Sequence, residues 1–525
     1  MKKIDIPQSN AKKHIPSFEE IIVFFYLIVV LFSQVILSAT SKLNAIASFY
    51  LVLGVSLYCS KRILKRTKIV QIKNSDSYHI PRLAFFFVPL GVFLFHYIAF
   101  YPGGFLSDSV DQYQQSISGV YSDWHPFVHT ILAFKLPLAL TGGWIGSIVL
   151  LQILAFSGVL AYGLTTIQMY SNWKYALFSM LFILLNPQTG TFAMFPLKDI
   201  AFGMGAFLLM CFCIRIYLTR GKWLDSFVNA LFFVIVVVLT TLFRHNAVLF
   251  TAPALLAVVF WLRRKKAVII CISTLLLFVA VKGPVYHLLG VESPDRRQIE
   301  TLGLPMTVIG AVVHDNPESL PDEVKKFVYS IAPEEVWQKE YVSGDYNAMK
   351  WDTRTNNDVI EQYGALAVLR IMIQCVKAEP ISAIKGLIRL TDPLYSLTHL
   401  SYGYSYPTIM DNTLGISEHG IGALQMIVRY YGNVGKLFPH LFSCLGLLHF
   451  IILVAALTHL KSNRLKNWKS LLFALPVFCY NFGTMLLLTG SRDAGRFFYY
   501  TFLLFPLMMV FYLGNKDESK TIKAD

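Results

Sequence analysis

The chain has 525 residues, 55% of them hydrophobic and only 15% charged, with a formal net charge of +15 and a mean hydropathy of +0.54. Soluble domains carry about 25% charged residues, so a soluble globular chain is excluded. The basic excess does not point to nucleic acid, because Lys and Arg collect in short loops at the ends of apolar runs, as the positive-inside rule and anionic cytoplasmic lipid require.

Apolar runs recur along the whole chain at the length of about 17–25 residues that crosses a hydrocarbon core of roughly 30 Å. The first, IIVFFYLIVVLFSQVILSAT (residues 21–40), follows Lys2, Lys3, Lys12 and Lys13. It is too long for a signal-peptide core and is followed at once by a second span, so it is expected to stay as an anchor with a cytoplasmic N-terminus. The loop KRILKRTKIVQIK (residues 61–73) is also expected inside, so residues 83–101 run outward and the polar stretch GGFLSDSVDQYQQSISGVYSDWHPFVH (residues 103–129) faces outside. Three apolar runs lie between Pro126 and Asn186, where parity allows two crossings; the run with His129 and Lys135 is expected to be interfacial or re-entrant. The basic loops RIYLTRGKW (215–223), RRKK (263–266) and KSNRLKNWK (461–469) read as cytoplasmic. Spans near 200–217, 227–242, 247–262, 267–281, 438–460, 471–488 and 497–513 alternate with them, and the tail NKDESKTIKAD ends inside. The expected fold is an all-α polytopic membrane protein with about twelve crossings. Its parts are an N-terminal transmembrane module (1–282) with an outer acidic loop (102–125), an extracytoplasmic, mostly helical segment (283–435), and C-terminal spans with a cytoplasmic tail (436–525). The seven cysteines lie mostly in apolar runs with no spacing for a disulfide framework or metal knot.

Four ionisable clusters fall on the outer side. In SDSVDQYQQ, Ser107 or Asp108 is expected to cap a short helix whose turns bring Asp111, Gln112 and Gln115 toward one face. Carboxylates near the bilayer edge carry a desolvation cost and are functional candidates, able to accept a hydroxyl proton or hold a divalent cation; a capped helix among the headgroups is the plain alternative. SDWHPF sets His125 before Pro126 at a helix start, as a structural histidine or a phosphate contact. Lys198 and Asp199 stand at the mouth of a span after an irregular Pro- and Gly-marked loop; the lysine either snorkels or binds. Arg244, His245 and Asn246 in LFRHNAVLF interrupt two apolar runs, as a tight polar turn or a bidentate phosphate grip. Arg492, Asp493 and Arg496 in SRDAGR repeat the arrangement. No Gly-rich nucleotide loop opens a helix after a strand. In the outer segment, Trp337, Tyr341, Tyr346 and Trp351 form a small core or offer faces to a sugar, and AEPISAIKGLIRL (378–390) is amphipathic enough to lie on a membrane.

This pattern resembles the GT-C superfamily of integral-membrane glycosyltransferases, in which an N-terminal span, an outer acidic loop, an HP or PP helix start and a second charged outer loop recur. Asp108 with Asp111, His125–Pro126 and Lys198–Asp199 match those features. The likeness is closest to uncharacterised bacterial families of that type, with the DS…Q…HP loop and an FRxN-like turn, and covers most of residues 80–270. Two extra spans precede the acidic loop, and SDSVD replaces a plain acidic pair, which leaves open whether Asp108 or Asp111 is the base; the model that the resemblance implies has Asp108 deprotonate the acceptor. The resemblance implies outer-face juxtamembrane helices and a polyprenyl-phosphate sugar donor at a bacterial plasma membrane. A cell-envelope polymer or glycolipid hydroxyl attacks it, with inversion. Lys198, Arg244 and Arg492 or Arg496, with His125, Asp199, His245 and Asn246 nearby, would steady the departing phosphate. Some members use a divalent cation (magnesium or manganese) and others none. A transporter or flippase would show internal repeats and midplane charges, which are not evident here. An O-acyltransferase built on His245 would leave the acidic loop without a role.

Overall fold

The computed structural model describes residues 17–38, 52–56, 58–60, 62–63, 70–71, 78–262, 264–293, 298–401, 403–462, 468–492 and 494–515. The N-terminal lysines, most of the second expected span, most of the 61–73 loop, Asp493 and the C-terminal tail lie outside the described residues. The chain divides into two compact units, Met1–Lys68 and Ile69–Asp525.

In the first unit the helix Phe18–Ser38 opens on the sequence Ser17-Phe-Glu-Glu20. Glu20 N–H donates to Ser17 Oγ (3.3 Å) and Ser17 N–H donates to Glu20 Oε2 (3.1 Å). This reciprocal cap satisfies two donors that the first turn leaves open.

The second unit is predominantly helical; its described β-strands are a two-residue parallel pair, Val70–Gln71 with Gly514–Asn515. Among the described residues of the whole chain, five helices are long and apolar enough to cross a membrane: Phe18–Ser38, Arg82–Ala99, Gly146–Tyr170, Lys198–Leu218 and Lys265–Leu288. Trp173–Leu184 and Pro187–Ala193 would together make a sixth, bent by 69°. The break has a local cause. Pro187 cannot continue the preceding helix's hydrogen bonding, and the Asn186 side chain accepts from Gln188 N–H (3.0 Å), capping a new start. Six further apolar helices are shorter. Among them Phe127–Leu140 contains a π-helical stretch, Thr130–Lys135, and at 1.5 Å per residue reaches only about 21 Å. It is one of the three runs between Pro126 and Asn186 for which parity allows two crossings.

Lys198–Leu218 spans about 31 Å at that rise and joins two chemically different ends. Its far end closes in the left-handed turn Arg220–Gly221 (φ 50° and 82°), where the basic loops gather. Lys266 pairs with Asp225, Lys469 Nζ donates to Phe260 O (2.9 Å) and Trp261 Nε1 donates to Lys469 O (3.0 Å). Its near end carries Lys198 and Asp199.

Within the segment expected outside, residues 298–391 build their own core. Trp337, Tyr346 and Phe327 are fully buried, with Tyr341 beside them. Trp337 Nε1 donates to Val328 O (2.9 Å) and Tyr341 OH to Thr307 O (2.7 Å). Three of the four aromatics considered as sugar faces are thus core residues; only Trp351 is exposed, beneath the Lys350 ammonium 4.7 Å from its centroid. Residues after 392 go elsewhere. Phe105 N–H donates to Thr408 O (2.9 Å) and accepts at its carbonyl from Met410 N–H (2.8 Å), and Ile416 packs with Phe105 and Phe134. That return stretch walls the acidic loop.

Candidate functional site

The acidic helix, Ser107–Ser118, begins after Leu106, whose backbone is extended, and no side chain caps it. This corrects the expected capping role of Ser107 or Asp108. Asp108 lies in the first turn, and its carboxylate instead turns to cations from distant segments. Arg496 Nη2 donates to Asp108 Oδ2 (2.6 Å) and Lys198 Nζ lies 3.2 Å from the same oxygen. Ser109 Oγ donates to Pro196 O (3.2 Å), fastening the acidic helix to the FPLKD turn.

Arg496 uses its fork twice, for Nε also donates to Asp199 Oδ2 (2.8 Å). The other Asp199 oxygen pairs with Arg244 Nη1. Asp199 is 1% exposed and Arg244 7%, so both charges are out of water and are tolerable only because they are paired. Arg244 is further held by Nε donating to Asn246 Oδ1 (3.1 Å), while Asn246 Nδ2 donates to Thr484 Oγ1 (2.9 Å). The Phe497 ring lies under both guanidinium groups, 4.6 Å from Arg244 Cζ and 5.3 Å from Arg496 Cζ, at cation–π range.

A second arm runs through the SDWHPF turn. The SDWHPF turn is pinned by Asp123, which pairs with Lys282 and accepts from Phe127 N–H (3.3 Å) and Tyr286 OH (3.3 Å). So fixed, His125 accepts from Lys198 Nζ at Nδ1 (2.9 Å). The hydrogen-bond network thereby assigns the ring proton to Nε2, which lies 3.6 Å from Asp111 Oδ2. Asp111 also accepts from Gln115 Nε2 (2.8 Å).

The two carboxylates occupy opposite electrostatic settings. Burial would raise the Asp108 carboxyl, but Lys198, Arg496 and the Arg496 hydrogen bond outweigh it and hold the group far below the usual carboxylate range. Burial raises Asp111, with the Asp108 charge adding to it and the Gln115 hydrogen bond opposing. Burial and then Lys198 lower His125 to about 3, so it is neutral at neutral pH. Asp108 is therefore a poor proton acceptor, whereas Asp111, 47% exposed, is both more basic and open.

Of the residues expected from the sequence, Asp108, Asp111, His125, Lys198, Asp199, Arg244, Asn246 and Arg496 come together. His245 is exposed beside this group. Arg492 turns away: it is 68% exposed and its Nε lies 3.4 Å from Asp345 Oδ2. Sequence reasoning missed Asp123–Lys282 and Phe497, and placed Gln112 on the face of Asp111. Gln112 is instead fully buried, where its amide lies against His129 Nδ1 (3.0 Å) and donates to Thr130 Oγ1 (2.9 Å).

Just inward of the charges lies a cavity of about 240 Å³ among Gly146–Tyr170, Lys198–Leu218, Phe227–Leu242 and the helix of His129. Its walls are apolar apart from His129, Gln152 and Thr240. Ala201 and Phe243, which line it, stand two residues and one residue along the chain from Asp199 and Arg244. Among the described residues no three His, Cys, Asp or Glu side chains are grouped to hold a metal ion. Asp108 and Asp199 are already neutralised by Lys198, Arg244 and Arg496, so this donor set does not fit a divalent cation.

No family model matches the chain, and no curated protein or solved structure matches it.

Proposed function

We propose that the protein transfers a sugar from a polyprenyl-phosphate donor to a hydroxyl of a cell-envelope acceptor, at the outer face of a bacterial plasma membrane. One observation carries this reading: Lys198, Arg244 and Arg496 converge beside an apolar cavity walled by apolar helices, two of them long enough to cross a membrane. Around Asp108 and Asp199, Lys198, Arg244 and Arg496 leave one positive charge for a phosphodiester monoanion, while the ionised Asp111, on the other side of the His125 ring from Lys198, keeps its own charge for base work. The cavity suits its isoprenoid tail.

In this reaction Asp111 takes the acceptor's hydroxyl proton as general base. The acceptor oxygen attacks the anomeric carbon, and the bond from that carbon to the phosphate oxygen breaks. The polyprenyl phosphate leaves with the electron pair, its charge met by Lys198 and Arg496. A single displacement of this kind inverts the anomeric centre. The basic turns at the far ends of the same helices support an extracytoplasmic site with cytoplasmic termini. A GT-C arrangement of about twelve crossings needs most of the six shorter apolar helices, and the second expected span, most of which lies outside the described residues, to count with the longer ones.

The test is transfer by full-length protein in lipid nanodiscs, from a panel of radiolabelled polyprenyl-phosphate hexoses to envelope glycolipids. Asp111→Asn is expected to lose turnover by about 10²–10⁴-fold while donor binding persists. Wild-type turnover in that variant removes Asp111 as the base. Absence of any transfer, with lipid-sugar flux across liposomes, replaces the enzyme with a flippase.

A further inference from the structure

The helices Ala365–Ala378 and Pro380–Thr391 follow one another without a loop and pack together on Gly303–Asp315. Their inner faces complete the core of the outer module through Val368, Ile371, Cys375 and Ala383. Their outer faces are also apolar, which a water-facing helix pair does not require. Leu366 is 82% exposed, Ile373 49%, Ile381 50% and Ile384 42%, with Val376 and Leu387 exposed beside them. On the first helix these positions, with Leu369 exposed between them, follow a spacing of three and four residues and form one stripe. Arg370 and Lys377, both exposed, sit along one border of it, and Arg389 is exposed on the second helix.

The surface is continuous with a flank of different origin. Pro380–Thr391 packs against Leu475–Leu487, a C-terminal apolar helix whose outer end exposes Phe482, Leu486 and Leu487. An apolar stripe bordered by cations and running into the exposed side of an apolar helix matches the headgroup boundary of a bilayer. We infer that the helix pair Ala365–Ala378 and Pro380–Thr391 is an in-plane membrane seat, its apolar stripe sunk into the outer leaflet and its cations among anionic headgroups.

The seat has a mechanical consequence. The module it carries grips the loop just before Arg496: Tyr346 N–H donates to Thr489 O (2.6 Å), Thr489 Oγ1 donates to Asn347 Oδ1, and Arg492 pairs with Asp345. A module fixed on lipid holds that loop fixed relative to the bilayer.

The test uses full-length protein in phosphatidylcholine–phosphatidylglycerol nanodiscs, with the partly exposed Cys59, Cys271 and Cys479 replaced by Ala. Single Cys residues at Ile373 or Ile384 carry an environment-sensitive fluorophore, and exposed Lys326 on the same module serves as the aqueous control. Labels on the stripe are expected to shift to the blue and lose emission when acyl chains brominated near the headgroup replace the ordinary ones, the depth being roughly 5–10 Å into the boundary. The Lys326 label is expected to lose emission to aqueous iodide alone. Stripe labels quenched by iodide and indifferent to brominated lipid overturn the proposal. So do stripe labels shielded from both quenchers, which would mark the face as a protein contact.

Discussion

Replacing Arg496 tests the centre of the charge network most directly. Its Nε and Nη2 each make a charge-assisted hydrogen bond, to Asp199 at 2.8 Å and Asp108 at 2.6 Å, and Arg496 is only 11% exposed. Such bonds contribute about 1.5–3 kcal/mol each, and removing one partner of a buried pair costs about 3–5 kcal/mol. Neither carboxylate is wholly abandoned in Arg496→Gln, since Asp199 keeps Arg244 and Asp108 keeps Lys198, so about 3 kcal/mol is the expected loss. Arg496→Lys retains the charge but has one nitrogen where two are needed, and should lose about half as much. Adding Asp108→Asn to Arg496→Gln removes a carboxylate left short of cations, and should recover about 1 kcal/mol through their coupling. Thermal unfolding of nanodisc-held protein, followed by intrinsic fluorescence at one scan rate, should rank the wild type first, then Arg496→Lys, then the double variant, then Arg496→Gln. Equal midpoints for wild type and Arg496→Gln, or no recovery in the double variant, refute the network.

Two further outcomes are expected. His125 has a folded value of about 3 against an unfolded value near 6.5, so between those pH values the unfolded chain binds more protons and stability falls as pH falls, by up to about 1.4 kcal/mol per unit. His125→Gln should show a shallower loss of melting temperature from pH 6.5 down to pH 4, and an unchanged slope would contradict the buried neutral ring. A Cβ on Gly303 would lie 1.9 Å from Leu488 O, a backbone atom, whereas one on Gly422 meets open space. Gly303→Ala should therefore destabilise by about 1–3 kcal/mol and Gly422→Ala should not, as read by protease resistance of the outer module.

The site was legible where ionisable residues interrupt apolar runs. Asp108, Lys198, Asp199, Arg244 and Arg496 all stand at such interruptions, and a charge there has few uses other than pairing or binding. What the pattern lacked was pairing. Arg492 and Arg496 sit on the same outer turn with the same chemistry, and only the approach of Asp345 to one and of Asp199 to the other separates them. The roles of Asp108 and Asp111 were likewise undecided, because their basicity is set by burial and, for Asp108, by cations brought in from distant segments, Lys198 and Arg496. Span lengths were blurred by polar insertions: a π-helical stretch after His129 and the Asn186–Pro187 break shorten or bend runs that hydropathy alone leaves continuous. The aromatic cluster around Trp337 was readable as core or as sugar platform until its burial decided for core.

Asp108 and Asp199 share Arg496 yet are expected to act oppositely on an incoming phosphate. Asp199 is enclosed between two arginines at 1% exposure, so it serves to hold those guanidiniums together, and no ligand can replace it without unpicking the buried pairs. Asp108, 19% exposed at the mouth, occupies the donors of Lys198 and Arg496 that a phosphate would use. On the proposed function a lipid phosphate displaces it, and part of the binding energy offsets that exchange. Asp108→Asn should raise affinity for polyprenyl phosphate, and Asp199→Asn should lower it, because Arg244 and Arg496 then repel one another across a dry site. Titration of fluorescent polyprenyl phosphate into each nanodisc-held variant reads both effects. Weaker binding in Asp108→Asn, or tighter binding in Asp199→Asn, would show that the phosphate does not exchange with the Asp108 carboxylate.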